Sequence, residues 1–141
     1  MATQGKLDVL ILGSGGREHA LLKACLRSPR VAQVRVAAGK DAVVACLGLA
    51  FKANVDDLRE SPAVEIASHL AAAGLKVLAV EPHVTALPKA LQGRAELVSL
   101  ADALARASVI VLLVDHRAFA GLTLEQLKGK KLIDTRGMVR A

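Results

Sequence analysis

The chain of 141 residues has no Trp, no Tyr and only two Phe, Phe51 and Phe119. A core of stacked aromatics is excluded, and so is an aromatic platform on which the bases of a nucleic acid could lie. With 53% of residues apolar, the interior must be built from Ala, Val, Leu and Ile, which suits short parallel strands covered by helices. Long apolar runs are missing too. The stretch Val109–Val114 is far short of the ~20 residues that cross a bilayer, so no membrane partner is expected. Cysteine is scarce, and a disulfide framework is excluded. Cys25 falls in a helical pattern and Cys46 in a strand pattern, so both read as core thiols of a reducing compartment. The opening MATQGKLD lacks the basic-then-apolar pattern of a secretory leader. A cytoplasmic location is the expectation.

The net charge of +6 is unevenly placed. Residues 1–40 carry seven Lys/Arg against two Asp/Glu, while residues 41–141 carry twelve against eleven. No basic helix accompanies the surplus, so nucleic acid is not the expected partner. A phosphate-bearing small ligand accounts for local basicity equally well.

Along the chain, short β runs alternate with helical periodicity. Strands are predicted at Asp8–Leu12, Val31–Ala37, Ala42–Leu47, Lys76–Val80 and Val109–Val114, with a last one at Lys131–Asp134. A short extended piece falls at Glu96–Val98. Helices are predicted over Arg17–Arg27, from Ser61-Pro62 to Gly74, and over Leu100–Ala107, with a broken helix across His116–Lys128. Ser61 is the expected N-cap, with Pro62 at the first helical position. Ala63, Ile66, Ala67, Leu70 and Ala71 form the expected buried stripe. Such alternation specifies an α/β fold, a Rossmann-like three-layer sandwich with a mostly parallel sheet.

One join breaks the pattern. Only Ala38 to Asp41 separate the second and third strands, whereas a parallel crossover takes a dozen or more residues. These strands either pair as an antiparallel hairpin at residues 37–42 or belong to separate sheets or separate chains. In the last case two copies would form a homodimer by strand exchange. The join coincides with the charge boundary, so two segments are read, 1–39 and 40–141, packed as one domain.

Gly13, Gly15 and Gly16 lie between a strand and a helix, where backbone N–H groups can hold a phosphate. A dinucleotide fingerprint would need its third glycine at position 18, which is Glu18, and an acidic residue where Ala37-Ala38-Gly39 stands. No NAD site is found, and no cofactor is expected. The run VLILGSGGREHALLKACLRSPRVAQVRVAAG resembles the opening of glycinamide ribonucleotide synthetase, whose ATP-grasp domains have no counterpart here. That resemblance implies at most a small anion-binding turn at Gly13, Gly15, Gly16 and Arg17. The alternative is a turn that simply packs.

Ligands of open parallel sheets bind beyond the carboxyl ends of the strands. The predicted strands lead there into Gly48-Leu49-Ala50-Phe51-Lys52, Glu81-Pro82, Asp115-His116 and Asp134-Thr135-Arg136-Gly137. Lys52 and Arg136 are thus two cations expected at one rim, one a compact charge and the other a planar fork, a pairing suited to diphosphate oxygens. Asp56, Asp57, Arg59 and Glu60 are read as bracing the loop before the helix. His69, His83 and His116 lack metal-ligand spacing, and no metal is expected.

In order, GLAFKANVDDLRESPAVEIA, VLAVEPHV, VIVLLVDH and LIDTRGMVR resemble the C-terminal domain of UDP-sugar dehydrogenases. NVDDLRESPA is most similar to the UDP-N-acetylmannosamine dehydrogenase branch. The resemblance implies that this domain holds the UDP part of a UDP-sugar, with Phe51 near the nucleotide and Lys52 and Arg136 serving phosphates or sugar. In that family the redox chemistry belongs to an NAD domain and a central helical region carrying a nucleophilic Cys. Neither Cys25 nor Cys46 has the exposed, electropositive setting of a reactive thiol, so no catalytic residue is assigned. The expected function is a non-catalytic UDP or UDP-sugar binding module, on a chimera of synthetase-type and dehydrogenase-type pieces, natural or engineered. A fold-only protein without ligand stays open, as does a fragment of an oxidoreductase or of a purine-biosynthesis ligase.

Overall fold

A computed structural model of the chain describes residues 7–12, 27, 31–37 and 42–139. Two compact units divide it, Met1–Lys40 and Asp41–Ala141. In the first, strands β1 (Leu7–Leu12) and β2 (Val31–Ala37) form a two-stranded parallel sheet. The glycine turn with Gly13, Gly15, Gly16 and Arg17 lies outside the described residues.

The second unit is a five-stranded sheet in which every pair is parallel, in the order β5-β4-β3-β6-β7. Its elements are β3 (Val43–Leu47), α1 (Pro62–Ala72), β4 (Lys76–Val80), β5 (Ala95–Leu97), α2 (Leu100–Arg106), β6 (Val109–Leu112) and β7 (Lys131–Asp134). The antiparallel hairpin considered at residues 37–42 does not form among the described residues. β2 and β3 lie in separate sheets. The reason is that β3 is the centre of its sheet, with β4 on one side and β6 on the other, both in parallel register. No edge of β3 is left for a hairpin partner.

Alternation along the strands sorts the core. Ala45, Leu47, Leu78, Val80, Ile110 and Leu112 share one cluster with Ala103 and Ala107 and with Phe119, Leu122 and Leu127. The intervening residues, among them Val44, Cys46, Val77, Ala79 and Val111, are buried as well. The sheet is covered on both faces, as a parallel sheet must be. α1 buries Ala63 and Ala67 but leaves Ile66 42% exposed, so the predicted stripe is narrower than its apolar residues. The helix ends where expected: Leu75 N–H reaches back to the Leu70 carbonyl, with Gly74 at φ +88°. Across His116–Lys128, the broken helix is a single 3-10 turn, Arg117–Phe119, followed by turns. Within those turns the Thr123 hydroxyl accepts from the Gln126 N–H. Among the described residues no helix is long and apolar enough to cross a membrane.

Candidate functional site at the carboxyl ends of the strands

The centre of the rim is a close splice of strand ends. Gly48 follows β3 at φ +92°, and a Cβ there would lie 2.5 Å from Val114 Cβ. Only glycine satisfies both conditions. Gly48 N–H donates to the Val80 carbonyl, and the Leu47 carbonyl accepts from Leu113 and Val114 N–H. The ends of β3, β4 and β6 are thereby locked together before the chain leaves the sheet.

Beyond the splice sits a buried polar hub. Glu81 Oε2 accepts from Leu49 N–H at 2.7 Å and Ala50 N–H at 3.0 Å, and lies 2.8 Å from His116 Nε2. Glu81 Oε1 accepts from His83 N–H at 3.1 Å. Burial pushes the Glu81 carboxyl up. Hydrogen bonds from Leu49, His116 and His83 outweigh that push and hold it below the ordinary carboxylate value. On the other side of the imidazole, His116 Nδ1 accepts from Asn54 N–H at 2.8 Å. Nδ1 therefore carries no proton, and Nε2–H faces Glu81. Asn54, in the left-handed region at φ +60°, accepts from Arg117 N–H through Oδ1. The loop between β3 and α1 is thus tied to both neighbouring strand ends.

Two further bonds complete that loop. Ser61 precedes α1 with extended backbone as an N-cap should, but its hydroxyl makes no cap bond. It donates instead to the Leu49 carbonyl at 2.6 Å, which would otherwise be a buried acceptor without a donor. Phe51 N–H donates to the Asp57 carbonyl. Asp57 and Arg59 form a two-pronged ion pair, and the Arg59 hydrogen bond lowers the Asp57 carboxyl to about 2. These two residues brace the loop as the sequence suggests.

Around this frame lies a cleft of about 290 Å³. Ala50 and Phe51 line it from the β3 loop, Pro62, Ala63 and Ile66 from the start of α1, Leu113 and Val114 from the end of β6, and Thr135 and Arg136 from the turn after β7. Asp134 shapes that turn by accepting from Arg136 N–H and Val139 N–H. The Thr135 hydroxyl donates to the Leu112 carbonyl. Arg136 Nε lies 3.4 Å from Asp115 Oδ1, with both side chains nearly half exposed. Phe51 is 56% exposed and also borders a second hollow lined by Asp57, Arg59 and Glu60. The apolar walls, one guanidinium and the positive end of α1 make the first cleft suited to an anion with a flat or apolar part.

Of the predicted ligand residues, Phe51 and Arg136 come together in this cleft. Lys52 is exposed on the same loop and is not among the residues lining it. The sequence places Glu81 and His116 at strand ends, and gives His116 no metal-ligand spacing, but does not reveal their pairing. The available signal was a polar residue directly after a run of apolar ones. The ligand atoms of Glu81, His83 and His116 lie within 4.8 Å of one another, a spacing that could hold a metal ion. However, both Glu81 oxygens and both His116 nitrogens are already hydrogen-bonded. With Nδ1 accepting a backbone N–H, His116 Nε2 keeps its proton and offers no lone pair to a metal. Cys46 is buried inside β3, its thiol pushed up to about 12 by that burial, which makes it an inert core residue.

Residues 45–141 match the model of the UDP-glucose/GDP-mannose dehydrogenase family, UDP binding domain. The chain belongs to this family. It is 54% identical over 100 residues to NDP-N-acetyl-D-galactosaminuronic acid dehydrogenase of Ralstonia nicotianae, an alignment covering 70% of this chain and 23% of that protein. With UDP-N-acetyl-D-mannosamine dehydrogenase of Yersinia pestis the identity is 47% over 98 residues, 69% of this chain and 23% of the relative. Among solved structures, UDP-glucose dehydrogenase of Pyrobaculum islandicum superposes with a TM-score of 0.60 at 32% identity, over 70% of this chain and 22% of the other. The chain therefore spans about a quarter of the length of the curated relatives it matches. The Gly48–Ser61 loop supplies Ala50 and Phe51 to the cleft, and the Asp134–Gly137 turn supplies Thr135 and Arg136.

Proposed function

We propose that the unit spanning residues 42–139 binds UDP, or the UDP part of a UDP-sugar, in the cleft at the carboxyl rim of its sheet, without turnover by the chain alone. The observation that carries this reading is the convergence of Phe51 and Arg136 on one cleft, inside residues matched by a UDP binding domain. Arg136, with Lys52 from the adjoining loop, serves the diphosphate, and Phe51 lies against the nucleoside. No NAD site or other cofactor enters the proposal. Calorimetric titration with UDP tests it. Lys52→Ala and Arg136→Ala are each expected to weaken binding by about tenfold or more, the cost of one charge-assisted contact. Absence of heat from the unaltered protein at millimolar UDP overturns the reading in favour of a fold without a ligand.

That residues 8–39 are a synthetase-type β-α-β piece joined to this unit is also our proposal. It is supported by the start of the family match at residue 45 and by the boundary between compact units after Lys40. A natural protein related in sequence on both sides of that boundary overturns it.

A further inference from the structure

His116 is not among the residues lining the cleft, yet it is fully buried and stands between the sheet and the loop that carries Phe51 and Lys52. We propose that His116, held as its Nε2–H tautomer by Glu81, is a positioning residue for the UDP-binding loop. Its Nδ1 clamps Asn54 N–H and thereby fixes Phe51 and Lys52 at the rim. The inference deepens the binding function proposed above and rests on it for the ligand.

Three observations carry it. First, the imidazole spans two bonds of opposite sense, donating toward Glu81 at 2.8 Å and accepting from Asn54 at 2.8 Å. A side chain that merely filled space would need neither. Second, each end of the loop segment is gripped by one member of the pair. Glu81 takes Leu49 and Ala50 N–H, and His116 takes Asn54 N–H. Only Phe51, Lys52 and Ala53 lie between the two grips, and two of these are the proposed ligand residues. Third, the hub is connected to the cleft's other wall, because Val114, two residues before His116, lines the cleft. The groups around the ring are Glu81, the His83 ring at 4.7 Å between centroids and the Phe119 ring at 5.6 Å.

Two substitutions separate the two bonds. In His116→Asn the amide oxygen falls near the place of Nδ1 and keeps the acceptor for Asn54. In His116→Gln the amide nitrogen falls near the place of Nε2 and keeps the donor to Glu81 only. UDP affinity is measured by calorimetry, and amide hydrogen exchange is followed at Asn54 and, as a core reference, at Val111. The expected result is that His116→Asn binds within about threefold of the unaltered protein and keeps Asn54 protected. His116→Gln weakens binding by about tenfold and exposes Asn54 to exchange while Val111 stays protected. Equal loss in both variants, or an Asn54 amide as protected in His116→Gln as in the unaltered protein, overturns the inference. Should neither variant fold, the imidazole 15N spectrum of the unaltered protein decides: a proton on Nε2 supports the clamp, and a proton on Nδ1 overturns it. If UDP fails to bind the unaltered protein, the binding function falls, and the exchange pattern still decides the clamp.

Discussion

Two groups of polar side chains in the second unit differ in almost every physical respect. At the carboxyl rim, Glu81 and His116 are buried and every polar atom of their side chains has a partner. On the flank, where β5 closes the sheet, Arg106 reaches Glu96 with two nitrogens and Asp102 with one, all partly in water. A buried pair is costly to desolvate and is weak evidence for stability as such, but removing one partner leaves an uncompensated polar group in the core. An exposed pair is screened and contributes little. The rim therefore spends polar groups to fix a loop, and the flank uses them to dress an edge. If so, damage at the rim is large and reaches the ligand, and damage at the flank is small and does not.

The largest effect is expected from Glu81→Ala. It strands the N–H groups of Leu49, Ala50 and His83 together with His116 Nε2–H, and about 3–5 kcal/mol of stability should be lost. A shift of the urea midpoint measures it. Loss of less than about 1 kcal/mol would show that water replaces the carboxylate, and the contrast with the flank would disappear. Next comes Gly48→Ala, which combines a left-handed backbone with a Cβ 2.5 Å from Val114 Cβ. Strain and overpacking together should cost about 2–4 kcal/mol, read in the same way. Because Gly48 also sets the start of the ligand loop, UDP affinity should fall with it.

Acid should weaken the rim as the Glu81 carboxylate takes up a proton. Glu81 titrates below its ordinary value of 4.5 in the folded chain, so its contribution is fully present above that pH. It is lost as pH falls through the lower folded value. Urea midpoints taken from pH 7 into the acid should decline over that range, and Glu81→Gln should flatten this part of the decline. An unchanged slope in Glu81→Gln would assign the acid sensitivity to other carboxylates.

How much of this was legible in the sequence depends on the distance over which each feature is decided. β4 and β7 were read to the residue, because apolar runs bounded by Gly, Pro or charge are local signals. Phe51 and Arg136 were identified separately, but their sharing of a cleft depends on β3 and β7 flanking β6, which no local pattern encodes. The need for glycine at position 48 comes from Val114, far along the chain, and was invisible for the same reason. Ser61 was placed correctly at the helix start. Its hydroxyl serves Leu49 instead of the helix because that carbonyl is buried by tertiary packing. The pairing of Glu81 with His116 joins two strand ends that sequence reasoning treated one at a time.

The smallest effect should come from Arg106→Ala. β5 is only three residues long and forms one edge of the sheet. Its Glu96 side chain is held by Arg106 from the end of α2. Charge and shortness are both devices that keep an edge from pairing with another chain. Removing Arg106 should lower Tm by no more than about 4 °C, and half a molar NaCl should erase most of the difference by screening. UDP affinity should not change, since nothing in the cleft touches this flank. What can change is self-association: β5 freed of its ion pair is a better template for a second strand. Sedimentation at rising protein concentration would detect this, and a variant as monodisperse as its parent would show that the brevity of β5 suffices to protect the edge.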